Sequence, residues 1–182
     1  MTHPSVTRLT HLVPPPEDRP AAPDWQQVET TLEATLPDDY KQLVEAYGGG
    51  VFDETIWLLE PGCVDTDYDL VAQTSQRAAE LAELWGSGEP KPTEVESTDT
   101  ARLIPWAYLE SSGAYLYWLA RPDQAPAEWS VMLNEGRGPA WERHPQGCAD
   151  FIVGILTGKI RNSYFDNVPP PSHAFDPNSE IL

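Results

Sequence analysis

Two cysteines, Cys63 and Cys148, and four histidines, His3, His11, His144 and His173, are the side chains best suited to nucleophilic or metal chemistry. A Cys–His couple works when the imidazole draws the thiol proton, and Cys63 with His144 is the pairing we consider, although neither residue sits in a local motif of a cysteine nucleophile. The closest two of the six, His144 and Cys148, are four positions apart, and neither C-x2-C nor H-x3-H, the short ligand spacings of zinc sites, occurs. Asp65, Asp67 and Asp69 reproduce the D-x-D-x-D opening of a calcium loop, but Leu70 and Gln76 occupy the sixth and twelfth positions, where that loop requires Gly and Glu. The glycine run Gly48-Gly49-Gly50 is not followed by the Lys and Ser/Thr of a phosphate loop, and no G-x-S-x-G, dinucleotide-binding glycine pattern or H-E-x-x-H is present. The expectation is a protein without catalytic residues, metal or cofactor. Its two cysteines read as free, buried thiols.

The carboxylates are the more informative group. Among 182 residues, 29 are Asp or Glu against 11 Lys or Arg, a formal charge of -18. Phosphate backbones and anionic lipid surfaces would repel such a chain, which argues against nucleic acid and membranes and favours either steered association with a basic partner or simple solubility in the cytosol, two readings that charge alone does not separate. From Gln42 to Gln76 there is no cation at all, while Asp53, Glu54, Glu60, Asp65, Asp67 and Asp69 are acidic. These six are candidate contacts for a basic partner. Trp57, in the same segment, is the candidate aromatic anchor if the strand turns it to solvent; the opposite alternation puts Trp57 in the core and Ile56 outside.

The elements that must position these residues can be read from periodicity. Prolines 14, 15, 16, 20 and 23 predict a flexible or loosely docked arm over residues 1–23. Asp24 is a natural N-cap for a helix over 24–34 that carries Trp25, Val28 and Leu32 on one face. A second helix starts at Pro37, buries Tyr40, Leu43, Val44 and Tyr47, and stops at the glycines. Short strands around 51–52 and 56–59, a helix over 69–85, a mobile loop over 86–100, and an antiparallel meander from 103 to 143 follow. Trp106, Trp118, Trp129 and Trp141 are expected on one face of that meander. A helix over 148–156 closes the domain, and 159–182 reads as an irregular tail. With no long apolar run and no signal-peptide pattern at the N-terminus, the chain is expected to be soluble and cytoplasmic.

This order makes an α+β domain, with several helices against a mixed or antiparallel sheet of five or six strands. Trp25 opening a helix, Leu36-Pro37-x-Asp39-Tyr40, Tyr47-Gly48-x-Gly50-x-Phe52 and Ile56-x-Leu58-x-x-Pro61 together resemble the SUKH superfamily, named in part for a yeast cell-wall-synthesis regulator. Leu103-Ile104-Pro105, Tyr117-Trp118, Trp129, Phe151, Leu156 and Gly158 extend the resemblance, which covers residues 24–158. It implies an immunity protein that binds and neutralises a cognate toxin, nuclease-like or deaminase-like, or else a regulatory module that binds a cellular protein. The signature residues themselves read as core and as a helix stop, not as a reaction centre.

Overall fold

The computed structural model describes residues 1–18, 21–97, 100–165 and 168–182. The meander is present: β3 (Arg102–Leu109), β4 (Ala114–Ala120), β5 (Val131–Asn134) and β6 (Glu142–His144) pair antiparallel in chain order. A hairpin of β1 (Gly50–Phe52) and β2 (Ile56–Leu58) joins it through β2. On the far side of β1 lies β7 (Phe175–Pro177), giving a seven-stranded antiparallel sheet ordered β6-β5-β4-β3-β2-β1-β7. The α+β class stands, with one strand beyond the expected five or six.

That extra strand corrects the reading of residues 159–182 as irregular. Three residues, one of them proline, are too short for alternation to register, yet the Ala174 carbonyl accepts the Asp53 N–H and β7 follows in register on β1. A helical turn, α7 (Asn178–Ile181), completes the segment.

Residues 1–23 are corrected in the same way. Pro4 begins a nine-residue helix, α1 (Pro4–Leu12), where a missing N–H costs nothing, and His3 Nδ1 accepts the Ser5 N–H. Val6, Leu9 and Val13, at i, i+3 and i+7, are buried against the helices described next. The proline count conceals this helix because prolines 14–16 lie just after it. Arg19 and Pro20 fall outside the described residues.

Asp24 caps α2 (Trp25–Leu32) by accepting the Gln27 N–H, and α3 (Asp38–Tyr47) follows Pro37, which occupies the N-cap. The helix expected over 69–85 is α4 (Leu70–Gly86), capped by Asp69. The 86–100 segment contains one helical turn, α5 (Thr93–Glu96), with Thr98 and Asp99 outside the described residues. The closing helix α6 (Cys148–Leu156) has the predicted bounds.

Helices α1, α3 and α6 cover one face of the sheet, and α4 covers part of the other. On the first face Tyr40 and Tyr47 are fully buried, and their hydroxyls donate to the carbonyls of Leu59 (2.6 Å) and Val13 (2.7 Å). Trp25 is only half-buried; its indole N–H donates to Glu45 and its ring meets Tyr40 edge-on at 6.1 Å. Trp106, Trp118 and Trp129 lie on this face, but Trp141 is on the opposite one, 5.5 Å from the Tyr117 ring. On the second face Leu81 of α4 packs against Leu103, Leu119 and Met132.

A β-bulge between Pro105 and Ala107 shifts the register of β3 against β4. It lets Trp106 and Ala107 both join the main core and turns the next residue, Tyr108, to the second face opposite Tyr115. Proline tolerates this place because an irregular ladder needs no donor there.

Candidate interaction surface

The structure divides the acidic segment in two. Asp69 accepts N–H groups from Ala72 (2.7 Å) and Gly62 (2.6 Å), Glu60 accepts from Gly49 (2.7 Å) and Asn178 (2.8 Å), and Asp53 accepts from Ala174 (2.9 Å) and faces His173 Nδ1 at 2.7 Å. These three carboxylates hold backbone in place. Asp53 and Glu54 also form the β1–β2 turn with φ of 48° and 53°, a left-handed geometry unusual outside glycine. Glu54 and Asp67 are exposed, and Asp65 is half-buried with its Oδ1 accepting the Asp67 N–H. Asp65 and Asp69 thus serve turn and cap, and among the described residues no cluster of three His, Cys, Asp or Glu could hold a metal ion.

Trp57 is not an exposed anchor. Only 8% of it is accessible, and Ile56 is buried too, because both faces are covered at β2: helices lie over Ile56, and the Tyr68 ring stacks on Trp57 at 3.8 Å. The Trp57 N–H donates to Asn178 Oδ1 at 2.9 Å. Cys63 lies beside Asn178, near the β7 edge, while His144 belongs to β6 at the opposite edge. The intervening strands, spaced about 4.8 Å apart, keep this pair from meeting. Cys148 is buried, and burial first, with Asp39 adding, pushes its thiol well above the usual range, where it is a poor nucleophile.

The strands bring together residues that motif reasoning missed. Registers Trp57–Tyr108, Tyr108–Tyr115 and Tyr115–Asn134 run straight across β2 to β5 on the second face. Tyr68, stacked on Trp57, joins this row, and the Tyr108 and Tyr115 centroids are 5.1 Å apart. All three tyrosines are half-buried. Burial pushes the Tyr68 phenol up to about 12, with Glu110, Tyr108, Asp65 and Asp67 reinforcing it, and raises Tyr108 with help from Glu110 and Asp67. Acids therefore lie near the Tyr68 and Tyr108 end of the row. Arg77 of α4 lies over Tyr115, 4.7 Å from its centroid, and binds Tyr117 Oη, Glu80 and the Gly136 carbonyl. The alternation of Tyr115 and Tyr117 in β4 was a visible signal for this face; the placement of Tyr108 depends on the bulge.

A family profile described as SUKH_6, SMI1-KNR4 cell-wall, matches residues 23–152. The chain belongs to the SUKH_6 family. The match takes in the helix from Trp25, the hairpin and the meander, while α1, β7 and α7 lie beyond it. No curated protein and no solved structure matches the chain. In this SUKH_6 protein the signature splits by role: Leu36, Tyr40, Tyr47 and Phe52 are core, and Pro37 and Gly48 bound α3. At Gly50 a side chain would run into the Asp176 carbonyl, and Pro61 leads the loop to Asp69. Among the described residues no helix is long and apolar enough to cross a membrane.

Proposed function

We propose that this SUKH_6 protein is a cytoplasmic immunity protein that neutralises a cognate toxin, nuclease-like or deaminase-like, by stoichiometric contact and without chemistry of its own. Membership of the family over residues 23–152 carries the reading. The engagement of Asp53, Glu60 and Asp69 by backbone donors, and the distance between Cys63 and His144, support binding over catalysis. The charge of -18 favours a basic toxin, drawn in by long-range attraction.

Titrating the toxin with the purified protein should abolish toxin activity at a one-to-one ratio, with both chains intact by mass spectrometry. Protection at far lower ratios, or covalent change in the toxin, would exclude this mechanism. The cell-wall description of the family supports a second reading, a regulatory module that binds a cellular protein. A neighbouring gene for a large secreted toxin with a nuclease-like C-terminal domain favours immunity; its absence favours the regulatory role.

A further inference from the structure

We propose that the tyrosine row on the second sheet face, with the acid-lined groove beside Tyr115, is the docking surface for an arginine-bearing segment of a protein partner. The toxin as that partner rests on the function proposed above; the surface and its chemistry do not.

The two faces of the sheet differ in cover. Three helices close the first, burying Trp106, Trp118 and Leu116 completely, whereas α4 seats Leu81 on Leu103, Leu119 and Met132 and leaves Tyr68, Tyr108 and Tyr115 half-exposed. Rigid aromatic rings with an apolar body and a polar tip, set in a polar surround, are what protein interfaces use as anchors. Tyr68 is held by its stack on Trp57 and Tyr115 by Arg77 and by a 3.2 Å bond to Gln73, so little side-chain freedom remains to be lost on binding. The loop bearing Asp65 and Asp67 also exposes Val64, at 92%.

Charge selects the occupant. The charges of Glu110 and Asp67 act on both Tyr68 and Tyr108 and that of Asp65 on Tyr68, and beyond Tyr115 a groove of about 440 Å³ is lined by Glu80, Glu83 and Glu135. Two cations border the groove. Arg77 is engaged by Glu80, and Arg137 is exposed at the rim. A second copy of the chain, also at -18, would be repelled.

Beside these carboxylates the tyrosine faces favour a guanidinium, which is planar, weakly hydrated and able to stack while forking to carboxylates, over a compact ammonium. Arg77 on Tyr115 already shows one ring of the row accepting this geometry, and Tyr108 is the next ring along.

An oligoarginine peptide, an oligolysine peptide of equal length and isotope-labelled full-length protein make the test, at about 0.15 M salt to screen diffuse attraction. Oligoarginine should bind more tightly than oligolysine and shift the amides of residues 108–115 and 135–137. Tyr108→Ser, and separately Asp67→Asn with Glu110→Gln, should weaken oligoarginine binding by about tenfold. Asp38→Asn with Asp150→Asn removes the same charge from the α3 and α6 side and should change it less than about twofold. Equal binding of the two peptides, a footprint elsewhere, or an equal loss in the control pair would overturn the proposal. The Asp67 and Glu110 pair carries the test if Tyr108→Ser fails to fold. One-to-one toxin neutralisation that this pair leaves undiminished would overturn the surface and keep the function; a correct footprint in a protein that neutralises no toxin would do the reverse.

Discussion

Asn178 receives the indole N–H of Trp57 at 2.9 Å across 121 positions of the chain, tying the end of the sequence to the middle of the sheet. The same amide donates to Glu60, and the Asn178 backbone N–H donates to the Gly49 carbonyl. Replacing Asn178 by Ala leaves a buried indole donor without its partner, a loss of about 1–3 kcal/mol. Urea unfolding should show a lower midpoint with an unchanged slope.

The acidic segment should separate by experiment as it does by geometry. Asp69→Ala removes the cap of α4 and should cost about 0.5–2 kcal/mol. Glu54→Gln and Asp67→Asn, at exposed positions, should leave stability within about 0.5 kcal/mol. With a basic partner at low salt, the exposed pair should instead slow association more than it speeds dissociation, read by stopped flow.

Tyr40 and Trp25 share the family signature but not its energetics. Tyr40→Ala empties a fully buried site and strands the Leu59 carbonyl, so a loss of about 3–5 kcal/mol is expected. Trp25→Ala removes a half-exposed ring and should cost clearly less. Melting temperatures of the two variants check the order.

How far the sequence disclosed this architecture depended on the length of each pattern. The helix from Cys148 to Leu156 and the meander were legible because apolar period and boundary residues agree over many positions. Helix α1 was masked by prolines 14–16 although Val6, Leu9 and Val13 carry its period, and β7 is too short to alternate. The surface was the least legible part. From its strand alone Trp57 reads as either anchor or core, because a single strand cannot tell whether its second face is covered, and the cover, Tyr68, lies in a loop. Tyr108 reaches that face only because the bulge at Pro105 and Ala107 changes the phase of β3.

Alkaline conditions should unfold the protein in a defined window. Burial pushes the Tyr117 phenol up to about 12 against the pull of Arg77, and burial also raises Tyr40 and Tyr47 far above the ordinary value of 10.0. Below pH 10 both folded and unfolded chains keep these protons, so these groups add no pH dependence. Between pH 10 and about 12 the unfolded chain releases protons that the folded chain retains, and stability falls as pH rises. Phenolate absorbance should therefore appear together with loss of far-ultraviolet dichroism, with a part of the tyrosine signal withheld until unfolding.

Both outermost strands are three residues long: β6 reads Glu-Arg-His and β7 reads Phe-Asp-Pro. Open sheet margins recruit foreign strands when they are long, flat and apolar; brevity, charge and a proline without a donor remove that template. The molecule is thereby guarded against zipping onto another chain through its backbone. Contact with any other protein is left to side chains, which point substitutions can change while the hydrogen-bonded frame of the sheet stays as it is.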